Sequence, residues 1–537
     1  METSTDQKSE GAAETRRRTA LPRRLGLISA MAVLVGSTIG TGIFRSPAGI
    51  ATKVPDEGLY LLLWVLGGFF SLCGALTLAE LAGALPHTGG VFVFLREGFG
   101  RLPAFLFGWS ELVIIRASAL GAISTVFAEY ALRLLGSNDA QAVHYVAAAA
   151  ILVTATFNII GVKLGSVVQN LTTGTKYAAL VVLVLAAFLI GGRNDAPANA
   201  PAALSADQIA TDGAALSKND VVGLLGGGVP ASRVREVIEA RGVSFRPSPE
   251  ILNQINAVGG DGSLEEAISR TAPSLIALFG LAFISLLWVY DGWADVTFMS
   301  GEVKRPERFL PLALICGTLA VVTIYMLANF AYLHLLTIGQ IADSRLVAAD
   351  AAFRIVGDTG VNLISIAVMI SAFGTLNGSM MTGPRIFFAM ADEGLFFKNI
   401  ASVHPRFKTP YIAISLAATI AIVFVLVRTF EQLADTFVLA IWPFYAGGVA
   451  AVYALRRKRP DLPRAYRTPG YPVTPALFIL AVLLLVGNAI WSDLRYYAAR
   501  FAGGPNPHEW SGALMVFTIV LAGIPAYFIW KRMNPDR

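Results

Sequence analysis

A glycine-rich stretch at residues 36–44 interrupts the first long apolar segment of this 537-residue chain. It reads Gly-Ser-Thr-Ile-Gly-Thr-Gly-Ile-Phe. Glycine weakens a helix and lets the backbone open. Inside a membrane, an opened backbone is tolerated only where protein, water or a ligand completes its hydrogen bonds. The stretch therefore predicts either a binding site at a helix break or a close contact between helices through small residues.

A second interruption lies at residues 288–295, where the carboxylate of Asp291, a glycine and three aromatic rings enter the sixth apolar run. An ionisable residue at this depth is costly and indicates function by default. If the helices stop at both interruptions, the helices that resume present free N–H groups to a carboxylate. The helices that end there present carbonyl groups to an ammonium. Such a site suits an α-amino acid.

The composition places these interruptions in an integral membrane protein. Hydrophobic residues make up 55% of the chain and charged residues 15%, whereas soluble domains carry about 25% charged residues. Both cysteines, Cys73 and Cys316, lie in apolar segments, so no disulfide framework is expected. The net charge of +6 comes from basic residues beside apolar segments, which predicts contact with the lipid bilayer and no nucleic-acid partner.

Twelve membrane spans are predicted, since each needs about 20 apolar residues. They cover residues 25–51, 58–85, 102–135, 143–160, 171–192, 273–300, 312–337, 361–390, 411–427, 436–455, 473–491 and 511–530. Lys and Arg cluster at both chain ends and in alternate short loops, which predicts that both termini are cytoplasmic in a plasma (inner) membrane.

The chain divides into six predicted parts. These are a cytoplasmic tail (1–24), the first part of the core (25–192), an exterior insertion of short helices (193–272), the second part of the core (273–455), a basic cytoplasmic loop (456–472), and the last two helices with a tail (473–537). The insertion is too long for a plain loop. It is interpreted either as a tolerated surface insertion or as an element that binds a partner or gates access.

The two interruptions lie five spans apart, at matching positions of two five-helix halves. This pairing is the strongest sequence indication of a transporter site. The predicted fold is an all-α integral membrane protein with twelve transmembrane helices, a five-plus-five inverted repeat and discontinuous helices 1 and 6. No metal-ligand spacing, phosphate loop or nucleophile–base arrangement occurs in the sequence. We therefore expect no enzyme activity, no metal and no cofactor.

Several motifs in this order resemble the amino acid–polyamine–organocation superfamily and, within it, the L-type amino acid transporter family. They are residues 36–44, Trp-Ser-Glu-Leu-Val-Ile-Ile-Arg (109–116), Tyr-Asp-Gly-Trp (290–293), Asn-Gly-Ser (377–379), Arg-Ile-Phe-Phe (385–388), Glu-Gly (393–394) and His-Pro (404–405). Their order and spacing are kept over roughly residues 25–530, apart from the insertion.

The resemblance implies a substrate site at both breaks. The carboxylate would bind the opened backbone of segment one, comprising Thr38, Ile39, Gly40, Thr41, Gly42 and Ile43. The amino group would bind carbonyl groups of Thr38 and of segment six, where the predicted site residues are Trp288, Val289, Tyr290, Asp291 and Gly292. Trp288 would also wall the substrate side chain, together with the candidates Ile115, Ala372, Phe373 and Phe437.

Three further charged positions stand out within the spans. An isolated lysine such as Lys176 needs a carbonyl or carboxylate partner. The resemblance implies that it replaces a structural sodium ion and links segments one, five and eight; the alternative is a lysine that reaches the membrane surface. Glu111 and Arg116 are interpreted as a structural pair, with each other or with neighbours.

Asp291 departs from many relatives, which carry a small residue at this position. It could pair with a substrate amine and favour cationic substrates, or take up protons. Alternatively, it could cap the second half of segment six.

These features predict a sodium-independent secondary transporter of L-amino acids that works by alternating access, as an exchanger or with proton coupling. The alternative is an amino acid sensor that uses the same site and signals through residues 193–272. In the relatives that bind a glycoprotein subunit, a cysteine follows segment three. Residues 136–141 contain no cysteine, so we expect no disulfide-linked glycoprotein partner.

Overall fold

The computed structural model describes residues 23, 25–192, 275–501 and 512–534, apart from positions 88, 138, 161, 393, 403 and 408. In this part of the chain the secondary structure is helical, and the one strand-like feature is an isolated bridge between Leu25 and Val303. The predicted insertion at 193–272, and with it the proposed signalling element, lies outside the described residues.

The helices of the first and sixth predicted spans are each divided by a break. The helices before the insertion are α1 (Leu27–Thr38), α2 (Gly42–Lys53), α3 (Glu57–Ala84), α4 (Val91–Phe99), α5 (Arg101–Ser110), a π-helix (Glu111–Ile115), α6 (Arg116–Leu134), α7 (Ala140–Ile160) and α8 (Val162–Leu189). Those after it are α9 (Leu275–Val289), α10 (Asp295–Phe298), α11 (Pro306–Leu335), α12 (Ile338–Asp343), α13 (Val347–Asp392), α14 (Tyr411–Val427), α15 (Phe430–Lys458), α16 (Val473–Phe501), α17 (Ala513–Leu521) and α18 (Gly523–Met533).

Eight helical segments in the described ranges are long and apolar enough to cross a membrane, and α1 with α2 forms a ninth candidate that bends by 41°. Three shorter apolar helices, Gly174–Leu189, Phe279–Val289 and Tyr411–Val427, coincide with the predicted fifth, sixth and ninth spans. The prediction of a multi-pass, all-α membrane protein is therefore confirmed. The number of twelve spans stays a prediction.

Helices five spans apart pack against each other. The second half of span one, α2, packs on α9, while the first half, α1, packs on α10. In the same way α3 packs on α11, and α6 packs on α13. These contacts bring equivalent spans of the two predicted halves together, and the inverted repeat itself stays a prediction.

An aromatic cluster between α3, α9 and α11 supports the two breaks. The Tyr290 hydroxyl donates to the Trp64 carbonyl oxygen at 2.9 Å, and the rings of Tyr290 and Tyr325 lie 5.2 Å apart. Trp64 packs on both, at 6.0 Å from each ring. All three side chains are buried, so the ends of α1 and α9 rest on a densely packed surface.

A buried carboxylate anchors the basic loop that was predicted at 456–472. Glu80 in α3 accepts two hydrogen bonds from Arg456, at 2.9 and 2.7 Å, and two from Thr468, at 2.8 and 2.9 Å. Arg456 lies in the last turn of α15, which continues to Lys458. Cations in this turn offset the negative end of the helix dipole. Because α15 ends at Lys458, the loop begins at Arg459 rather than at position 456.

Candidate functional site

The break between α1 and α2 leaves N–H groups without helical partners. α1 ends at Thr38, and Ile39 has the non-helical angles φ −76° and ψ 79°. Thr41, the N-cap of α2, forms no side-chain cap. Among the described residues, the backbone N–H groups of Thr41, Gly42 and Ile43 form no backbone hydrogen bond. These groups and the positive end of the α2 dipole have the chemistry that suits an anion.

The second break touches the first. α9 ends at Val289, and Gly292 adopts φ +104°, a conformation that favours glycine. A Cβ atom on Gly292 would lie 2.8 Å from the backbone of Ser37 and Thr38. A Cβ atom on Gly42 would lie 2.9 Å from the Cα of Val289. Both glycines are therefore required by the close approach of two opened backbones.

We expect Gly42→Ala to destabilise the fold, because the new methyl group would displace the Val289 backbone. Overpacking of this kind costs about 1–3 kcal/mol. Gly49 in the same helix is the matched control, because a Cβ atom there would have nothing within 4 Å. Thermal unfolding of the purified protein in detergent should show a lower midpoint for Gly42→Ala and no loss for Gly49→Ala. Equal midpoints for the two variants would contradict the close approach.

A cavity of about 650 Å³ lies where the two breaks meet, with α6, α13 and α15 forming its remaining walls. Eight predicted site residues line it: Thr38, Gly40, Thr41, Gly42, Trp288, Asp291, Gly292 and Phe437. The exposed Ser29 also lines the cavity, which therefore reaches the surface at one end, here called the Ser29 end.

Four predicted residues of the two breaks do not line this cavity: Ile39, Ile43, Val289 and Tyr290. Their side chains are buried in the packed interior. Tyr290 points into the aromatic cluster with Trp64, because its hydroxyl bonds to the Trp64 carbonyl oxygen. Neighbours along an opened backbone point in different directions, so Asp291 lines the cavity although Tyr290 does not.

Three predicted wall residues, Ile115, Ala372 and Phe373, also lie away from the cavity. Phe373 packs between Phe127 and Phe157, at ring distances of 6.0 and 6.4 Å. Ile115 ends the π-helix, whose wider turn changes the register of the residues that follow. After this turn, α6 presents Arg116, Ala119 and Ile123 to the cavity, three residues that were not predicted as pocket wall.

Tyr325 connects the two breaks, and sequence reasoning missed it. Its hydroxyl lies 2.7 Å from the carbonyl oxygen of Thr38 and 3.0 Å from that of Val289. These are the last residues of α1 and α9. A hydroxyl has one proton to donate, so it can bond to only one of the two carbonyl groups at a time. A tyrosine in an apolar span carries no sequence signal for this position.

Lys176 lies inside the protein, with 1% of its surface exposed. Its Nζ donates to the carbonyl oxygen of Gly36 in α1 and lies 3.5 Å from the Thr375 hydroxyl in α13. The ammonium therefore connects α8 with α1 and α13, the three segments named from the resemblance. The alternative of a lysine that reaches the surface does not agree with this burial.

Asp291 lies in the turn between α9 and α10. The N-cap of α10 itself is Ala294, which forms no side-chain cap, but the Asp291 carboxylate accepts a hydrogen bond from the Gly292 backbone N–H group, so the capping alternative stays open. The Asp291 Oδ1 atom also accepts a hydrogen bond from the Tyr445 hydroxyl at 3.0 Å. The side chain lines the cavity, where a substrate or a proton can reach it.

Acidic side chains outnumber basic ones on the described cavity wall. Arg116 donates to Glu111 at 3.0 Å and to Ser379 at 2.8 Å. Arg116 and Glu111 thus form the structural pair that the sequence predicts. Two carboxylates, Asp291 and Asp295, line the cavity as well. Glu111 already pairs with Arg116, so the described wall has more acidic than basic side chains. Asp295 was not predicted as a site residue, although its place four residues after Asp291 was visible in the sequence.

A cluster of charged side chains lies at the end of the cavity opposite Ser29, which we call the Arg45 end. Arg45 in α2 bonds to Glu129 of α6 at 3.1 Å and to Glu431 of α15 at 2.7 Å. Its guanidinium lies 5.3 Å from the Phe430 ring. Below it, Trp288 packs edge-on against Phe437 with the ring centroids 5.1 Å apart. Together these contacts join α2 and α9 to α6 and α15.

No group of three or more His, Cys, Asp and Glu side chains could hold a metal ion within the described ranges. The cavity instead offers N–H groups, helix ends, hydroxyls and carboxylates, which suit a small zwitterion or cation.

The fold and this site define a multi-pass helical membrane protein with a ligand-sized cavity between two broken helices. Residues 25–524 match the family model described as amino acid permease. The chain belongs to the amino acid permease family.

Three relatives from the curated proteins show what members of this group do. The chain is 29% identical to the serine/threonine exchanger SteT of Bacillus subtilis (strain 168), over 95% of this chain and 98% of the relative. It is 28% identical to the b(0,+)-type amino acid transporter 1 of Mus musculus, over 91% of this chain and 86% of the relative. It is 27% identical to the human cystine/glutamate transporter, over 95% of this chain and 85% of the relative. The family and these relatives are transporters and exchangers of amino acids, not enzymes.

Proposed function

We propose that this protein is a sodium-independent secondary transporter of L-amino acids, which works by alternating access as an exchanger or with proton coupling. The observation that carries the proposal is a cavity of about 650 Å³ that both helix breaks line. The relatives named above supply the substrate class, amino acids.

The cavity offers a place for each part of an amino acid. The free N–H groups at the start of α2 suit the carboxylate. The carboxyl ends of α1 and α9 suit the ammonium, because the helix dipole is negative there. Trp288 and Phe437 line the side-chain part of the cavity, next to Ile123.

The two ends of the cavity support alternating access. Its Ser29 end reaches the surface, whereas Arg45, Trp288 and their partners close the other end. Access from the Arg45 end requires α2 and α9 to separate from α6 and α15. With twelve spans and cytoplasmic termini in the plasma (inner) membrane, the Ser29 end faces the cytoplasm and the Arg45 end faces the exterior.

Two contacts are suited to couple this movement to substrate binding. Lys176 connects the scaffold helices α8 and α13 to α1, at the place that the resemblance assigns to a structural sodium ion in other members. This position of an ammonium supports sodium independence. Asp291 offers a second coupling point, either to a proton or to a cationic substrate.

The sensor alternative has no observation of its own in its favour, because its proposed signalling element lies outside the described residues. Both hypotheses predict amino acid binding, and only a transporter produces flux. We also expect no disulfide-linked glycoprotein partner and no resident metal or cofactor.

Counterflow in proteoliposomes tests the proposal. Vesicles that contain the purified protein are loaded with one unlabelled amino acid, and uptake of each labelled amino acid is measured with sodium and with choline outside. We expect time-dependent uptake of at least one amino acid in both media. Binding of amino acids without flux under any gradient would overturn the transporter function. A requirement for sodium would overturn the coupling mode.

We expect Arg45→Gln to open the Arg45 end more often, because it breaks both ion pairs that hold α2 to α6 and α15. A loss of about 1 kcal/mol shifts the two populations by roughly fivefold. The measurement is the labelling of Ile123→Cys in the cavity by a membrane-impermeant thiol reagent from the exterior, with Cys73 and Cys316 replaced by serine.

Arg133→Gln is the matched control for this experiment, because Arg133 is an exposed arginine in the last turn of α6. We expect it to leave the labelling rate unchanged. If Arg45→Gln labels no faster than Arg133→Gln, the ion cluster does not close the exterior end.

A further inference from the structure

Asp295 is the first residue of α10 and lines the cavity at the helix breaks. Its carboxylate accepts a hydrogen bond from the side chain of Ser37 in α1, which lines the same cavity. A hydroxyl group donates one proton to a hydrogen bond and carries no charge. Asp295 therefore places a carboxylate on the cavity wall whose hydrogen-bond partner is neutral.

Contacts at both ends hold α1 and α10 together. The backbone N–H group of Leu25 donates to the Glu302 carbonyl oxygen at 3.0 Å, and that of Lys304 donates to the Leu25 carbonyl oxygen at 2.8 Å. These bonds join the chain just before α1 to the chain just after α10. The bond between Ser37 and Asp295 joins the other ends of the same two helices. We therefore expect α1 and α10 to move as one unit.

The cavity wall also carries Arg116 of α6, which is held firmly in place. Its guanidinium donates to Glu111 at 3.0 Å and to Ser379 of α13 at 2.8 Å. The side chain fits closely against α13, because a Cβ atom on Gly383 would clash with it. Since α6 and α13 also pack on each other, the cation belongs to a part of the protein separate from α1 and α10.

The charges of Asp295 and Arg116 interact, although no ion pair joins the two side chains in the described part of the chain. The far end of α10 already contacts span three, where Phe298 stacks on Phe107 with the ring centroids 6.4 Å apart. A tilt of α10 about this contact would bring Asp295 to Arg116. The same tilt would narrow the cavity between α10 and α6.

The Arg45 end shows the closed form of a comparable arrangement. There, Arg45 of one broken helix pairs with carboxylates on α6 and α15. At the Ser29 end the signs are reversed, because the broken helix carries the carboxylate and α6 carries the cation. In this structure the charged pairs are formed at the closed end, and the corresponding pair is not formed at the open end.

We infer that Asp295 pairs with Arg116 when the Ser29 end closes, as the counterpart of the Arg45 cluster at the other end. The inference rests on the proposed alternating access and deepens it, because it names the residue that holds the Ser29 end shut. Asp295 is a positioning residue in this role, whereas Asp291 at the same break is placed to contact the substrate.

Thiol labelling of Ile123→Cys from each face of the membrane, in the cysteine-free background, tests the inference. Asp295→Asn keeps an acceptor for Ser37 but removes the charge, so the state that is closed at the Ser29 end loses stability. We expect the ratio of exterior to cytoplasmic labelling to fall by roughly fivefold, opposite in sign to the effect of Arg45→Gln. Asp461→Asn, at an exposed position of the basic loop, is the matched control and should leave the ratio unchanged. Equal ratios for the two aspartate variants would overturn the inference.

A double-mutant cycle identifies the partner. Glu111→Gln with Arg116→Gln removes both members of the buried pair, so that neither charge is left alone. In this background Asp295→Asn should change the ratio by less than about twofold, and a further fall of about fivefold would overturn the pair. If the background does not fold, Asp295→Glu replaces it. Because glutamate keeps the charge, a ratio as low as in Asp295→Asn would then overturn the pair.

Failure of the inference and failure of the proposed function give different results. If Ile123→Cys is never labelled from the exterior, alternating access is overturned and the pair with it. If both faces are labelled and Asp295→Asn leaves the ratio unchanged, only the pair is overturned. Uptake of cationic relative to neutral amino acids should stay within about threefold in Asp295→Asn. A loss as large as that expected for Asp291→Asn would instead assign Asp295 to the substrate and overturn its role as a positioning residue.

Discussion

Lys176→Met should lower amino acid uptake by roughly tenfold or more while the protein remains folded. Methionine retains most of the side-chain length but removes the ammonium that connects α8 to the Gly36 carbonyl oxygen in α1 and to Thr375 in α13. A hydrogen bond to a charged group contributes about 1.5–3 kcal/mol, and each 1.4 kcal/mol corresponds to about a tenfold change in rate. Initial rates of counterflow in both directions across the vesicle membrane measure the effect.

Lys53→Met is the matched control, because Lys53 lies in the last turn of α2 and has no place in the proposed coupling. Its uptake should match that of the unsubstituted protein. A Lys176→Met variant that transports at the normal rate in both directions would remove Lys176 from the coupling mechanism. Gel filtration and thermal unfolding separate this effect from a loss of folded protein.

Asp291→Asn should reduce the uptake of cationic amino acids relative to neutral ones by about tenfold. The described cavity wall carries Asp291 and Asp295 in addition to Arg116, which pairs with the buried Glu111. Removing one of these carboxylates lowers the attraction for a second positive charge on the substrate, and a tenfold change corresponds to about 1.4 kcal/mol. Asparagine keeps an acceptor for the Tyr445 hydroxyl, so the packing around it is retained. Competition of lysine, arginine, serine and leucine for labelled uptake measures the ratio.

The pH dependence of uptake separates the two proposed roles of Asp291. If the carboxylate carries a coupled proton, uptake of a neutral amino acid driven by an inward proton gradient is lost in Asp291→Asn, while exchange without a gradient is retained. If it binds a cationic substrate, only the substrate ratio changes. A variant with the same substrate ratio and the same pH profile as the unsubstituted protein would exclude both roles.

Asp493 illustrates why an intramembrane carboxylate alone does not identify a site. It lies in α16, is fully buried, and accepts hydrogen bonds from the backbone N–H groups of Gly512 and Leu514, at 3.2 and 3.0 Å. It therefore stabilises the start of α17. Asp291 differs because its carboxylate lines a cavity, and this difference depends on what surrounds each side chain.

The sequence by itself determined the class of the fold and the position of the candidate site along the chain. An apolar run of about 20 residues crosses a membrane as a helix because its backbone has no other partners there. Glycines within such a run stand out because they let the backbone open where it has no other partners. A carboxylate stands out because it is costly in hydrocarbon. Residues 36–44 and Asp291 could therefore be identified without coordinates, and the resemblance of motifs in order led to the family that the family model confirmed.

Only the tertiary structure decided which side chains face the cavity. The π-helix at Glu111–Ile115 shifts the register of span three, so Arg116 and Ile123 line the cavity and Ile115 does not. At the second break, the opened backbone turns Tyr290 into the aromatic cluster and leaves Asp291 at the cavity. Tyr325 reaches both breaks from a helix whose sequence gives no sign of it. The direction in which a side chain points depends on local backbone angles and on contacts between distant helices. Residue types and their spacing do not specify either.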